Sequence, residues 1–237
     1  MSIKKIKERI TNFLVDPNPG IISINGVWGA GKTYCWNKTL SGGNKETYKF
    51  KNYSYVSLFG INTIEDFKFN ICSASIDKTQ IGKKLSLENL LNPNKGFLKR
   101  LTSKGFSTYA KYFSGKYGEA AKALAFNYLE DTLICIDDLD RKGDALKINE
   151  VLGILSNLKE LRDCKIVIIF NDMSLKEQEK TEYDALREKV IDWEIPFRPN
   201  IEEVLDIAFN KKTEAEQVLR RILEPHMSYS QMWCMGT

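Results

Sequence analysis

Histidine is almost missing from this 237-residue chain: the only one is His226, with no cluster of carboxylates or cysteines around it. A zinc site and histidine-based catalysis therefore have little support. Cysteine is scarce as well. Cys35, Cys72, Cys135, Cys164 and Cys234 are scattered with no C-x-x-C spacing, and two of them sit in apolar strand-like runs where a reduced thiol packs as a small hydrophobe. That usage argues against a disulfide framework and fits a reducing cytosol. No run of about 18 apolar residues occurs, so no membrane span is expected. The opening stretch from Met1 to Ile10 interrupts its apolar residues with charge, unlike a secretory signal. A soluble, cytoplasmic protein is the expectation. Charge of one sign is missing too, since 35 basic residues meet 31 acidic ones for a net charge of +4. Charge alone therefore gives no argument for a nucleic-acid partner. Chemistry is left to carboxylates, lysine and a metal ion. An apolar content of 43% is enough to fill the core of one main domain with a helical appendage.

The strongest positive feature is Gly26-Val27-Trp28-Gly29-Ala30-Gly31-Lys32-Thr33, which follows the apolar run Ile21-Ile22-Ser23-Ile24. A glycine-rich turn between a strand and a helix aims successive backbone N–H groups and the helix N-terminus at one spot, where a triphosphate's charge is stabilised. Lys32 is expected to reach the β- and γ-phosphates, and the Thr33 hydroxyl to take one place on Mg²⁺. The nucleotide cradle is read as Gly26, Trp28, Gly29, Ala30, Gly31, Lys32, Thr33 and Tyr34.

Around this loop the chain alternates between strand and helix signals. Ile3, Ile6, Ile10, Phe13 and Leu14 recur at helical spacing and predict an amphipathic helix on the sheet edge, stopped by Asp16-Pro17-Asn18-Pro19-Gly20. The helix opened by Lys32 and Thr33 ends at Ser41-Gly42-Gly43-Asn44. A strand is expected from Tyr53 to Phe59, with a helix starting at 62–65. The segment from about Cys72 to Glu130 interleaves lysines such as Lys99, Lys104 and Lys111 with aromatics such as Phe106, Tyr109 and Tyr112. It reads as a helical insert. A groove tracking a nucleic-acid backbone is the less favoured alternative, because no base-reading motif accompanies it. Thr132 to Ile136 is a short buried strand ending in Asp137-Asp138, followed by a helix from Ala145 to Leu161. Lys165 to Phe170 reads as a strand buried on both faces, ending at Asn171. A helix from Ser174 to about Lys189, a strand over 190–197, and a helix from Ile201 to Leu223 complete the alternation. The pattern predicts a three-layer α/β fold with a mainly parallel sheet and helices on both faces. Residues 1–19 are expected to form a helix packing on a domain over 20–199, and residues 200–237 a helix and tail.

In such a sheet the glycine-rich loop, Asp137-Asp138 and Asn171 all fall at carboxyl ends of strands, where ligands bind. Asp137 stands where a magnesium-holding carboxylate would sit opposite Thr33, the alternative being a turn carboxylate. Asp138 could orient or deprotonate an attacking water, or cap a helix. Asn171 is either a contact to the γ-phosphate or the lytic water, or a turn residue. An arginine acting on the transferred phosphate could come from Arg141, Arg187 or Arg198, and the sequence does not choose among them.

Leu133 to Arg141 (Leu-Ile-Cys-Ile-Asp-Asp-Leu-Asp-Arg), taken with Gly26 to Thr33, resembles the KAP family of P-loop ATPases. Val56-Ser57-Leu58-Phe59-Gly60 and the late stretch from Glu188 to Pro199 add to the likeness, which covers most of the chain outside the insert and tail. The resemblance implies an additional-strand P-loop ATPase with ATP and Mg²⁺ as ligands and oligomerisation as a possible switch. It also implies a place in anti-phage defence or signalling beside a separate effector. Two competing readings are a nucleotide-gated binding module without turnover and an ATPase stimulated by nucleic acid.

Overall fold

The structure, a computed structural model, describes residues 1–82, 126, 129–200 and 203. Helix α1 (Ile3–Val15) buries the predicted stripe of Ile3, Ile6, Ile10, Phe13 and Leu14, and the Ser2 hydroxyl caps its start by accepting from the Lys5 N–H at 3.4 Å. It stops where Pro17 cannot continue a helix. Then follow β1 (Gly20–Asn25), α2 (Lys32–Gly42), β2 (Asn52–Ser57), α3 (Ile64–Ser73) and the two-residue β3 (Ile76–Asp77). Beyond the insert come β4 (Thr132–Asp137), α4 (Ile148–Arg162), β5 (Lys165–Phe170), α5 (Glu177–Val190) and β6 (Trp193–Pro196).

The strands form one six-stranded sheet in the order β3-β2-β4-β5-β1-β6, parallel except for the β2–β3 pair. The alternation of side chains along each strand divides the core in two. Ile21, Ile134, Ile136, Ile166 and Ile168 point to the side covered by α3, α4 and α5. Ile22, Ile24, Leu133, Cys135, Val167 and Ile169 point to the side covered by α1 and α2. The result is a helix–sheet–helix sandwich, the three-layer α/β fold of P-loop NTPases. Every residue of β4 and β5 is buried, as their unbroken apolar runs predict. The large apolar side chains among them, such as Ile134, Ile136, Ile166 and Phe170, each contribute about 1.5–3 kcal/mol by leaving water, so the central strands hold the loops at their ends in fixed positions.

Several local expectations are corrected. Helix α1 lies across a sheet face beside α2 rather than along the edge, because its stripe is wide enough to meet the central strands: the buried Lys165 of β5 donates to the Phe13 carbonyl at 2.9 Å. Helix α4 starts at Ile148 and not at 145, since residues 143–146 close a turn through Leu146 N–H to Gly143 O at 3.2 Å. Val190 completes α5, so β6 begins only at Trp193. Ile76 and Asp77 pair antiparallel with β2 inside the segment read as helical. Residues 83–125, 127 and 128 of that insert, most of the helix expected over 201–223, and the tail with His226 and Cys234 lie outside the described residues. Cys35, Cys72, Cys135 and Cys164 are buried free thiols, and burial pushes Cys72 and Cys164 up to about 12, which keeps them protonated and inert. Among the described residues no helix is long and apolar enough to cross a membrane.

Candidate functional site

Strands β1, β4 and β5 run in parallel and end at one rim, where the sequence-predicted residues gather. The Gly26 N–H donates to the Phe170 carbonyl at 3.2 Å, which ties the start of the glycine-rich loop to the tip of β5. Only glycine fits there, because a Cβ would lie 2.5 Å from the Phe197 carbonyl oxygen. Gly29 and Gly31 take left-handed backbone angles, φ 70° and 91°, that a side chain would strain. The loop thus wraps round the Lys32 ammonium, which donates to the carbonyls of Gly26 at 2.5 Å and Val27 at 2.9 Å. Burial lowers the Lys32 pKa, and the carboxylates of Asp140, Asp137, Asp172 and Asp138 pull it back up.

Opposite the lysine, at the end of β4, the Thr33 hydroxyl donates to Asp137 Oδ2 at 2.8 Å. The Tyr55 hydroxyl donates to the same oxygen at 2.7 Å, and the Asp138 N–H to Oδ1 at 2.9 Å. Burial raises the Asp137 pKa, while the Tyr55 and Thr33 hydroxyls resist by stabilising the ionised form. The Tyr55 phenol is itself pushed up by burial and by the neighbouring Asp137 charge, so it stays a donor. Asp138 adopts a left-handed backbone, φ 59° and ψ 38°, which costs a non-glycine residue about 1–2 kcal/mol. Its side chain accepts from the Ser57 hydroxyl at 2.7 Å.

Asp140 joins the remaining parts. Its carboxylate accepts from the Trp28 indole N–H at 2.8 Å and from the Asn171 backbone N–H at 3.0 Å. The Asn171 side chain is occupied by its own turn, donating to the Ser174 hydroxyl and accepting from the Met173 N–H at 3.2 Å. A cleft of about 310 Å³ opens between these groups, lined on the loop by Trp28, Gly29 and residues 31–34, on the acidic turn by Asp137, Asp138, Asp140 and Arg141, and by Phe170 with Asn171. Lys32, Thr33, Tyr34, Asp137, Asp138 and Asn171 therefore share one cavity. Gly26 and Ala30 do not line it: Gly26 packs behind against Phe197, and Ala30 is buried in the α1–α2 cluster. Of the three candidate arginines, Arg141 lines the cleft, Arg187 pairs with Glu194 at 3.1 Å and Asp184 at 3.2 Å, and Arg198 pairs with Asp172 at 3.4 Å.

Sequence reasoning missed Tyr55, Ser57 and Asp140. The parallel register that sets Ser57 beside Asp137 brings the end of β2 to the carboxylates, and no short-range pattern announces it. Asp140 could have been found, since one 3₁₀ turn after Asp137 returns a side chain to the same rim.

Strand β5 stands between the loop strand β1 and the acidic strand β4, so the phosphate loop and its acidic partner are separated by an extra strand. Among proteins with curated descriptions, none matches the chain. Solved structures similar to it include Drosophila ORC bound to poly(dA/dT) DNA and Cdc6, at 9% identity over 87% of this chain with a TM-score of 0.46. Another is Cdc6p from Pyrobaculum aerophilum, at 13% identity over 88% with a TM-score of 0.43. Drosophila ORC bound to AT-rich DNA and Cdc6 matches at 12% identity over 96% with a TM-score of 0.34. The chain spans 30%, 48% and 66% of the length of those chains, respectively. The model of the KAP family P-loop domain matches residues 3–224, taking in the loop, the acidic strand and every strand between. With that span matched and the glycine-rich loop at the head of an α/β sheet, the chain belongs to the KAP family of nucleotide-binding P-loop NTPase domains.

Proposed function

We propose that this domain binds ATP with Mg²⁺, hydrolyses it, and uses the reaction as a conformational switch. The observation that carries the reading is the meeting of Lys32, Thr33 and Asp137 in one cleft, with the Thr33 hydroxyl and the Asp137 carboxylate 2.8 Å apart. The donor set fits a hard cation: Thr33 and Asp137 offer oxygen only, and a buried carboxylate whose pKa is raised by desolvation is stabilised by a positive neighbour. Magnesium held by these two residues would supply charge neutralisation on the phosphates.

The chain's own groups then divide the work. Lys32 exchanges its two carbonyl partners for β- and γ-phosphate oxygens, a favourable trade for an ammonium already desolvated. The loop N–H groups from Trp28 to Tyr34 cradle the phosphates. Asp138 orients or deprotonates the attacking water; its strained backbone and its bond from Ser57 fix where the carboxylate points. Asn171 is assigned to the terminal phosphate or the water, and reaching either requires its carboxamide to leave Ser174. The division into residues 1–19, 20–199 and 200–237, a cytoplasmic setting, and action through self-assembly or a separate effector in anti-phage defence or signalling belong to the same proposal. Helix and turn signals in the sequence support the division, cysteine usage supports the setting, and the family resemblance supports the assembly and defence roles.

Phosphate release from labelled ATP tests the reading. Wild-type protein turns over with Mg²⁺, and Lys32→Ala or Asp137→Asn abolishes release. Tight nucleotide binding with no release by the wild type would make the domain a nucleotide-gated binding module instead.

A further inference from the structure

The geometry points to Arg141 as the residue that binds the terminal phosphate of the nucleoside triphosphate from within the same chain, held ready by two aromatic rings. The inference rests on the nucleotide-binding reading of the cleft and deepens it, because it names a second side-chain cation, beside Lys32, for the terminal phosphate. Arg141 lines the cleft together with Lys32 and Thr33. Its guanidinium lies over the Phe59 ring, 4.3 Å from the centroid, and over the Trp28 ring at 5.9 Å. Both rings are more than half exposed. Its carboxylate partner, Asp138, is 3.9 Å away with both side chains partly exposed, a geometry worth little in water. Arg187 and Arg198 have closer carboxylates, at 3.1 Å and 3.4 Å.

The backbone under Arg141 is fixed by hydrogen bonds, while its side chain has two rings and one distant carboxylate as neighbours. The 3₁₀ turn closes by Arg141 N–H to Asp138 O at 2.9 Å, Gly60 N–H donates to Arg141 O at 3.3 Å, and Phe59 bridges to Lys142. Lys142, buried, is ion-paired to Glu179 of α5 and pins the turn to the body of the domain. A guanidinium stacked on rings keeps its in-plane N–H donors free, and its planar fork matches a phosphate in a way an ammonium does not. The site also calls for such a cation. Four carboxylates act on Lys32, so a further phosphate charge entering the cleft needs positive charge beyond that lysine. Trp28 belongs to the phosphate loop itself, so an arginine stacked on it needs only side-chain rotation to reach a phosphate cradled there.

Isothermal titration calorimetry with Mg²⁺ and either ATPγS or ADP, on the full chain, tests the assignment. Arg141→Ala is expected to weaken ATPγS binding at least about tenfold while the Kd for ADP changes less than about twofold, and to lower ATP turnover by about 10³-fold. Arg141→Lys, which keeps charge and length but not the fork, falls between wild type and alanine and serves as the probe if the alanine variant does not fold. An unchanged ratio of ADP to ATPγS affinity in either variant, or a parallel loss of both ligands, overturns the role of Arg141. Lys32→Ala is the companion control and loses both ligands. Failure of the wild type to bind either nucleotide overturns the site reading along with the inference.

Discussion

Among the lysines buried in the described residues, two stand at opposite ends of the parallel sheet, and they teach opposite lessons. Lys32, at the carboxyl ends of the strands, donates to two loop carbonyls, faces an open cleft and feels four aspartates. Lys165, at the start of β5, donates to the Phe13 carbonyl at the end of α1 and lies over the Phe13 ring, 4.4 Å from its centroid. Burial lowers the pKa of both, Lys165 to about 8 against the pull of Asp16 and Asp192. A buried ammonium is therefore not in itself a site. What distinguishes Lys32 is access to a cavity and convergence of carboxylates from separate strands, whereas Lys165 serves as a cation at a helix C-terminus.

Removing each lysine should separate function from stability. Lys32→Ala should cost about 10²–10³-fold or more in ATP turnover, measured by phosphate release, with little change in the thermal unfolding midpoint. Lys165→Ala should do the reverse, losing about 1–3 kcal/mol in denaturant unfolding because the Phe13 carbonyl loses its partner, while nucleotide binding persists. If Lys165→Ala instead abolished turnover, the division between the two rims would fail.

Titration sharpens the contrast further. The folded pKa of Lys165 is depressed, so between about pH 8 and the ordinary value of 10.5 the folded state binds fewer protons than the unfolded chain. Its contribution to stability therefore rises with pH through that window and is lost as pH falls towards 8. The stability of wild type relative to Lys165→Met, followed by chemical denaturation from pH 7.5 to 10.5, should increase, and a flat difference would contradict it.

Smaller effects are expected from the supporting hydroxyl and indole. Tyr55→Phe removes one donor from Asp137 Oδ2 and should raise that carboxyl's pKa further, weakening Mg²⁺-dependent turnover by about tenfold and more so at lower pH. Trp28→Phe keeps a ring over Arg141 but loses the N–H to Asp140, with a loss of about three- to tenfold in turnover. An equal effect of Trp28→Phe in an Asp140→Asn background would show that the bond does not couple the loop to the acidic turn.

Legibility followed locality. The strands β1, β4 and β5 and the stripe of α1 could be read because period-2 and period-3.6 patterns are written in consecutive residues. The glycine-rich loop was readable for the same reason, since Gly29 and Gly31 answer backbone angles set within eight residues; the close approach of Phe197 that requires Gly26 comes from a distant part of the chain. The edge pair β3 was hidden, since Ile76 and Asp77 are too short a run to show alternation. Tyr55 looked like an ordinary strand residue, and Asp140 like one more surface acid.

The sequence by itself determined the layered α/β architecture, the phosphate loop and the acidic end of β4, because each is encoded by neighbouring residues acting through backbone geometry and burial. Only the tertiary structure decided that β5 separates the loop strand from the acidic strand, that Tyr55 and Thr33 meet on one oxygen of Asp137, and that Arg141 rather than Arg187 or Arg198 faces the cleft. Those choices depend on strand order and register. They are fixed by how the two faces of the sheet bury their side chains together, and no local stretch of chain carries that information.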